Sequence, residues 1–117
     1  MVARVLVSLA ATAAVWTGCA HKPVVRPAEI VVACADGNFY VDRLRWTRWT
    51  ATEAVATGVG HRNDCKPYCA AGHFHSAPIT IRLSRFVECV PGRREFSRIT
   101  LNGGFETLPC SFLKLRP

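Results

Sequence analysis

The apolar pattern after position 29 is the feature that most constrains the fold. From Glu29 onward, apolar residues occur in short runs rich in β-branched and aromatic side chains, and no window keeps a helical apolar stripe for three turns. Turn-forming pairs such as Pro91-Gly92 separate the runs. The sequence therefore predicts a mainly β domain over residues 29–117, a small disulfide-stapled β-sandwich or barrel-like fold.

The apolar runs define the expected strands and core. The strands are predicted at about residues 30–33, 39–46, 52–60, 79–83, 96–101 and 108–113. The apolar side chains expected in the core are Leu44, Trp46, Val55, Ile79, Ile81 and Leu83. The spacing of Trp46 and Trp49 breaks strict alternation, which predicts a bulge near residues 47–48.

One side of the third predicted strand is nearly bare of side chains. Ala54, Ala56, Gly58 and Gly60 alternate there with larger residues. Something must therefore pack closely against this side. Three partners fit: a neighbouring sheet, an aromatic side chain such as that of Trp46, or a ligand.

The first 18 residues have the organisation of a signal peptide. Arg4 supplies a positive start, residues 5–16 form an uncharged run of 12, and small residues follow. A run of this length is shorter than the ~20 apolar residues of a membrane-spanning helix. We expect export, with residues 1–18 as the signal peptide and residues 19–28, which contain two prolines, as a linker to the β domain.

Two cleavage positions fit this segment. The tetrad WTGC at 16–19 resembles a bacterial lipobox, in which small residues precede a lipid-accepting cysteine, and this predicts lipidation of Cys19. Ordinary cleavage after Ala20 is the alternative. The first interpretation predicts a lipid anchor at the outer face of the cell membrane, and the second predicts a secreted protein.

Five cysteines follow the predicted lipidation site. Cys65 and Cys69 lie close together in a proline-containing loop, and a local disulfide spans that distance if the loop curls. A second disulfide between Cys34 and Cys89 would close a long loop, worth ~4 kcal/mol in the chain-entropy model. Five thiols permit many pairings. Cys110 is left to replace one of these partners, to stay buried and free, or to join another chain.

Four polar residues near the local cysteine pair raise the question of a metal site; they are His61, Asp64, His73 and His75. The imidazoles of His73 and His75 would point to one side of a strand. However, thiols oxidise in an exported protein, which removes the strongest ligands, and the stretch is typical of an exposed loop. We expect neither a metal nor another cofactor.

Catalytic signatures are weak in this sequence. It contains neither a Gly-x-Ser-x-Gly nor a His-Glu-x-x-His motif. Glycoside cleavage needs two facing carboxylates, and the candidates for such a pair are Glu53, Glu88, Glu95 and Glu106. This pair is the basis of an alternative, enzymatic interpretation.

Basic residues outnumber acidic ones, 15 to 8, for a formal net charge of +7. Alternation along the predicted strands places Arg43, Arg45, Arg82 and Arg98 on solvated faces. The excess is explained either by solubility and a coding bias toward arginine, or by attraction to an anionic envelope partner, such as phospholipid headgroups or an acidic polymer. Nucleic acid is not an expected partner, because the aromatic and glycine pattern of RNA-binding sheets is missing.

Several short motifs resemble those of a known group of proteins. They are CADGN at 34–38, LRWTRW at 44–49, ATGVG at 56–60, NDCKPYCAAG at 63–72 and His75. Over about residues 33–92 they resemble a group of small, uncharacterised secreted proteins and lipoproteins of actinobacteria, to which no activity is assigned. The resemblance implies an exported location and covers Cys34, Cys65, Cys69 and Cys89; Cys110 lies outside it.

These observations together predict a non-enzymatic, exported domain of the cell envelope. The expected partners are the membrane, through the lipid at Cys19, and an anionic envelope polymer or phospholipid, through the four arginines named above. The alternative is a small hydrolase that acts on cell-envelope material.

Overall fold

A single antiparallel sheet makes up most of the molecule. The computed structural model describes residues 14–19, 22–102 and 104–107, without the side chains at 89 and 105–107. The strands follow one another in chain order as β1 (Ile30–Val31), β2 (Phe39–Trp49), β3 (Glu53–Asn63), β4 (Phe74–Val90), β5 (Arg93–Leu101) and β6 (Gly104–Thr107). Since β1 has only two residues, β2 to β6 form the bulk of the sheet, which curls into a half-barrel. The predicted mainly β, barrel-like fold is confirmed, as one curled sheet rather than a sandwich of two.

The connections between the strands contain little regular structure. A single 3₁₀ turn, Cys69–Ala71, lies in the loop that joins β3 to β4. Nowhere in the described ranges is there a helix long and apolar enough to cross a bilayer. The architecture within these ranges therefore depends on strand pairing and on the packing of one sheet face.

Strand β4 is much longer than the sequence predicts. The predicted strand at 79–83 lies inside it, but β4 already pairs with β3 from the Asn63–Phe74 pair onward. Residues 74–78 (FHSAP) mix polar and apolar side chains and include Pro78, so they lack the regular apolar alternation that marks a strand. The pairs between β4 and β5 begin only at Ile81, so Pro78 interrupts none of them. The predicted strand at 108–113 lies outside the described residues.

The bare side of β3 faces the core, where it receives two tryptophans. Ala54 and Ala56 are fully buried, and in the strand register they lie opposite Trp49 and Trp46, respectively. The two indoles pack edge to face with ring centroids 4.7 Å apart, and Trp49 also packs against Phe96 at 5.6 Å. Of the three partners that fit this bare side, the aromatic side chains are the ones observed.

The predicted core is largely correct. Ile81 and Leu83 are fully buried, and Leu44, Trp46 and Ile79 pack against the cluster while partly exposed. The prediction was wrong for Val55, which is half-buried outside the cluster. The reason is alternation: because Ala54 and Ala56 point inward to make room for the tryptophans, Val55 between them points to the other face.

Two bulges bend β2 over this core. One register shift lies between Trp46 and Arg48, where the sequence predicts a bulge. The other lies between Asp42 and Arg45, with Arg43 at a φ of 52°. Gly58 faces this second bulge, and a Cβ at Gly58 would lie 2.6 Å from the carbonyl oxygen of Asp42. The absence of a side chain at Gly58 thus allows the bulged part of β2 to lie close to β3.

Residues 14–19, here called the closing segment, pack into the fold beside β5. The amide of Val15 donates to the carbonyl of Arg94, and the amide of Phe96 donates to the carbonyl of Val15, both at 2.9 Å. Ala14 and Trp16 belong to the buried core, with 0% and 6% of their surface exposed. The sequence assigns these residues to the export segment, and in the structure they complete the interior of the half-barrel.

Two disulfides staple the described part of the chain. Cys65 bonds Cys69 within the β3–β4 loop, as predicted. Cys34 bonds Cys19 of the closing segment, so the predicted pairing of Cys34 with Cys89 is wrong. Cys34 follows β1 at one edge of the sheet whereas Cys89 lies in β4, three strands away, and the docked closing segment brings Cys19 to Cys34 instead. Cys110 lies outside the described residues.

Candidate functional site

The outer face of the sheet, opposite the core, presents a group of arginines from three strands. Arg48 of β2 and Arg82 of β4 both lie opposite Val55 in the strand register, and Arg45 and Arg98 occupy the neighbouring rows. We call Arg45, Arg48, Arg82 and Arg98 the basic face. Because the positions between them on β3 and β4 are buried in the core, Arg45, Arg48 and Arg82 point outward and are exposed. Arg98 is half-buried, and its Nε is enclosed.

The structure brings together three of the four predicted anion-binding arginines. Arg45, Arg82 and Arg98 belong to the basic face, together with Arg48, which was not among the four. Arg43 instead occupies the bulge of β2 and lies 3.4 Å from the carboxylate of Asp42, with 71% of its side chain exposed. The bulge explains the difference, because strict alternation in β2 ends there.

One carboxylate partly balances the basic face. Glu53 accepts hydrogen bonds from Arg48 and, at 2.9 Å, from Arg82. More than half of each of these arginine side chains is exposed, at 57% and 56%. Exposed ion pairs of this kind contribute little stability and exchange readily with other anions. The guanidinium groups are therefore oriented by Glu53 while staying accessible.

A second polar group on the sheet joins three adjacent strands. His61 of β3 hydrogen-bonds through Nε2 to Oδ1 of Asp42 on β2 at 2.8 Å. Its Nδ1 lies 2.7 Å from Oγ of Ser76 on β4, its register partner. The imidazole is 13% exposed and the Asp42 side chain 29%, whereas Ser76 is exposed. A carboxylate, an imidazole and a hydroxyl thus form one hydrogen-bonded chain across the sheet.

Aromatic rings flank this polar chain. Tyr40 stacks on His61 with ring centroids 4.6 Å apart and an interplanar angle of 21°. Phe74, two residues before Ser76 on β4, lies 5.8 Å from Tyr40 and is 48% exposed. The stacking restrains the imidazole, and Phe74 provides an apolar surface next to the hydroxyl.

The hydrogen bond from His61 holds the pKa of the Asp42 carboxyl below its usual value. Asp42 is therefore ionised at neutral pH and can only accept hydrogen bonds, so the proton in this bond belongs to Nε2 of His61. In the neutral imidazole, Nδ1 is then the acceptor, and the Ser76 hydroxyl donates to it.

The β3–β4 loop holds the remaining histidine network. Asp64 accepts hydrogen bonds from Nε2 of His75 at 2.8 Å and from the amides of Lys66 and His73, both at 3.1 Å. The bond from His75, followed by the two amides, lowers the pKa of the Asp64 carboxyl to about 2. Among the described residues, no group of three or more His, Cys, Asp and Glu side chains has the arrangement of a metal site.

Of the four carboxylates proposed for glycoside cleavage, two are engaged by other side chains, and Glu88 is exposed on β4. Glu53 is held by two arginines of the basic face. Glu95 is fully buried and accepts hydrogen bonds from Thr17 and, at 2.9 Å, from Arg93. The side chain of Glu106 lies outside the described part of the structure. The described carboxylates thus offer no evidence for such a pair.

Comparison with protein-family models, curated proteins and solved structures finds no match to this chain. The resemblance to small secreted proteins and lipoproteins of actinobacteria therefore stays a prediction.

Sequence reasoning missed the Asp42–His61–Ser76 chain. The third strand was predicted to end at Gly60 and the fourth to begin at Ile79, so His61 and Ser76 were both assigned to a loop. Local pattern gave no signal for this, because residues 74–78 lack the alternation of a strand. Extending the two strands toward each other around the predicted Cys65–Cys69 loop would have placed His61 opposite Ser76.

Proposed function

We propose that this chain is an exported domain whose basic face binds an anionic phospholipid surface in the cell envelope. The observation that carries the proposal is the occurrence of four arginines on one sheet face, two of which are more than half exposed while paired with Glu53. The two disulfides support maturation in an oxidising compartment outside the cytoplasm, since such bonds are rare in reducing cytosol.

Electrostatic attraction is the proposed mechanism of binding. Each Lys or Arg near an anionic membrane surface contributes about 1 kcal/mol, and the contribution falls off within a Debye length of ~8–10 Å at physiological salt. The basic face carries four such groups on β2, β4 and β5, so several of them reach one surface together. Binding should therefore be measurable at low salt and weaken as salt rises.

The test is co-sedimentation of the disulfide-bonded domain, without any lipid on Cys19, with vesicles. Wild type should bind phosphatidylglycerol vesicles and not phosphatidylcholine vesicles at low ionic strength. Replacing two exposed arginines, Arg45→Gln with Arg48→Gln, should weaken binding about 30-fold, because two contributions of about 1 kcal/mol are removed. A purified anionic cell-wall polymer in a parallel arm identifies the partner if it competes for the same face.

The matched control removes the same charge elsewhere. Lys22 and Lys66 are exposed and lie outside the basic face, so Lys22→Gln with Lys66→Gln should bind nearly as wild type does. Equal weakening by both double variants would show that only net charge matters, and the basic face would not be a site. No binding of wild type at low salt would exclude the electrostatic proposal altogether.

The lipid anchor expected at Cys19 remains part of the proposal, on the condition that Cys19 is not bonded to Cys34. Lipidation occupies the Cys19 sulfur, which bonds Cys34 in the structure. One sulfur atom cannot form both bonds. A lipid-anchored molecule would therefore carry Cys34 as a free thiol or with another partner, and its basic face would act close to the membrane.

A further inference from the structure

The hydrogen-bonded chain from Asp42 through His61 to Ser76 has the components of a nucleophilic site. We propose that Ser76 is the nucleophile and His61 the general base of a carboxylic-ester hydrolase, with Asp42 as the positioning residue. The substrate class is an ester with a small apolar acyl group. This proposal uses residues outside the basic face and stands independently of membrane binding.

The direction of the hydrogen bonds supports the assignment. Asp42 accepts the Nε2 proton of His61 at 2.8 Å, which leaves Nδ1 of the neutral ring as an acceptor 2.7 Å from Ser76 Oγ. A base within this distance of a hydroxyl, itself oriented by a third group, is the arrangement that activates a serine. The stacked ring of Tyr40 limits rotation of the imidazole.

The strand position of Ser76 explains the short contact. Thr80 exchanges hydrogen bonds with Asn102, on the side of β4 away from β3. Backbone groups alternate sides along a strand, so Ser76, four residues earlier, also points its amide away from β3. His61 and Ser76 are then a non-hydrogen-bonded register pair, the kind in which facing side chains lie closest.

The same alternation places a donor beside the nucleophile. The described part of the chain shows no strand paired with the outer edge of β4 over residues 74–79. The Ser76 amide therefore points to an edge that no described strand covers, next to its own hydroxyl. A backbone amide in this position can donate to the oxyanion that forms when the hydroxyl attacks a carbonyl.

The reaction balances with water as the only co-substrate. Ser76 Oγ bonds to the ester carbonyl carbon while its proton passes to His61 Nδ1, and the carbonyl electron pair moves onto oxygen. Collapse of this intermediate breaks the bond to the leaving alcohol oxygen, which takes the proton from His61. Water, deprotonated by His61, then attacks the acyl-Ser76 ester, releases the carboxylic acid and restores the hydroxyl.

Phe74 defines the class of acyl group. It lies two residues from Ser76, so both side chains occur on the same face of β4. Its ring is 48% exposed and borders Tyr40. A short alkyl chain attached to the carbonyl can cover this ring and bury apolar surface, whereas an acetyl group is too short to do so.

The first test is covalent labelling of the intact, disulfide-bonded wild type with a fluorophosphonate. The expected adduct is on Ser76, since attack by Oγ forms an oxygen–phosphorus bond and releases fluoride. Peptide mapping by mass spectrometry locates the label. Absence of an adduct on Ser76 in folded wild type would overturn the proposal without any variant being needed.

The second test measures turnover of p-nitrophenyl butyrate and p-nitrophenyl acetate. Ser76→Ala should lower the rate at least about 100-fold, the low end of what a positioned base and nucleophile contribute. Ser84→Ala is the matched control, because Ser84 lies on the same face of β4 and no hydrogen bond to its hydroxyl is described. A Ser76→Ala variant that folds and keeps the wild-type rate would show that the Ser76 contact is structural only.

Two further variants test the positioning role of Asp42 and the acyl-binding role of Phe74 separately. Asp42→Asn should lower kcat with little change in KM, because it affects the orientation of the base and not the binding of the ester.

Phe74→Ala should remove the preference for butyrate over acetate, and an unchanged preference would reject the assigned substrate class. Ser76→Ala should still bind anionic vesicles, so loss of hydrolysis and loss of membrane binding are distinguishable.

Discussion

Single residues in this molecule show how small side chains make room for large ones. Ala54 and Ala56 are completely buried, and the two tryptophans of β2 lie opposite them. Each indole also keeps its polar edge satisfied: Trp46 donates to the carbonyl of Pro27 at 2.7 Å, and Trp49 donates to that of Ala14 at 2.9 Å. The small residues are therefore essential to the packing, although they contribute little contact area themselves.

Gly58 provides the sharpest test of this close packing. Gly58→Ala should destabilise the domain by about 1–3 kcal/mol, because the added Cβ would lie 2.6 Å from the Asp42 carbonyl and 2.9 Å from Leu44 Cδ2. Chemical denaturation measures the change in the free energy of unfolding. Gly104→Ala is the control, since a Cβ there meets nothing within 4 Å. Equal effects of the two substitutions would mean that the close approach at the bulge has no energetic role.

At the residue scale, the sequence predicts which residue types lie in each strand better than it predicts the face to which each side chain points. The bare side of β3 and the pair of tryptophans are readable from alternation, whereas the partnership between them was one of three possibilities that the sequence left open. Val55 was placed on the wrong face because an apolar residue was assumed to point inward. Whether Val55 or Ala54 faces the core depends on the size of the side chains that the neighbouring strand places there. The pattern of one strand does not contain that information.

At the scale of elements, the β3–β4 loop is stabilised by polar contacts around its disulfide. Asn63 is nearly buried and donates to Asn38 Oδ1 and to the carbonyl of Cys69, at 2.9 and 2.8 Å. Asp64 accepts from two loop amides and from His75. These bonds tie both ends of the loop to the strands that carry His61 and Ser76.

The Asp64 contacts predict an acid-sensitive part of the stability. Its pKa is about 2 in the folded chain against an ordinary value of 3.8, so the ionised carboxylate favours folding above pH 3.8. This contribution is lost as the pH falls from 3.8 toward about 2. The free energy of unfolding of Asp64→Asn should therefore fall less steeply than that of wild type in this window. Glu29→Gln, at an exposed position, is the control, and an Asp64→Asn slope equal to that of wild type would contradict the prediction.

The boundaries of the elements were hard to predict, and β6 has no counterpart among the predicted strands. Polar residues and a proline mark the first part of β4 as a loop in the sequence, yet pairing with β3 extends through them. Edge strands tolerate such residues, because one side needs no ladder partner. For this reason the strand ends that carry His61 and Ser76 could not be assigned from local pattern.

At the scale of the whole molecule, the chemical state of Cys19 links cleavage of the chain to the packing of the core. In the structure its sulfur bonds Cys34, and the closing segment before it contributes Ala14 and Trp16 to the core. Lipidation would require cleavage between Gly18 and Cys19, and that cleavage would remove these core residues. The sequence alone treats the export segment and the domain as separate units, since tertiary contacts between them leave no local signal.

Mass spectrometry of the protein purified from its native host distinguishes three fates of Cys19: the disulfide to Cys34, lipidation, and removal by cleavage after Ala20. The structure predicts a non-reduced peptide pair joining Cys19 to Cys34, with residues 14–18 still attached. Alkylation without reduction should then leave Cys34 unlabelled. An acylated N-terminus at Cys19, together with alkylation of Cys34, would instead support the lipid anchor and show that the mature domain forms its core without the closing segment.

The closing segment also has a consequence for the order in which the chain folds. Neighbouring strands of the sheet are neighbours in sequence, so hairpins from β2 to β6 close over short loops and can form as each part of the chain emerges. The buried bond from Thr17 to Glu95 instead spans 78 residues. A chain that emerges from its N-terminal end can thus build successive hairpins, yet it cannot seal its interior until β5 has formed. Until then the apolar face of the unfinished sheet is exposed to water.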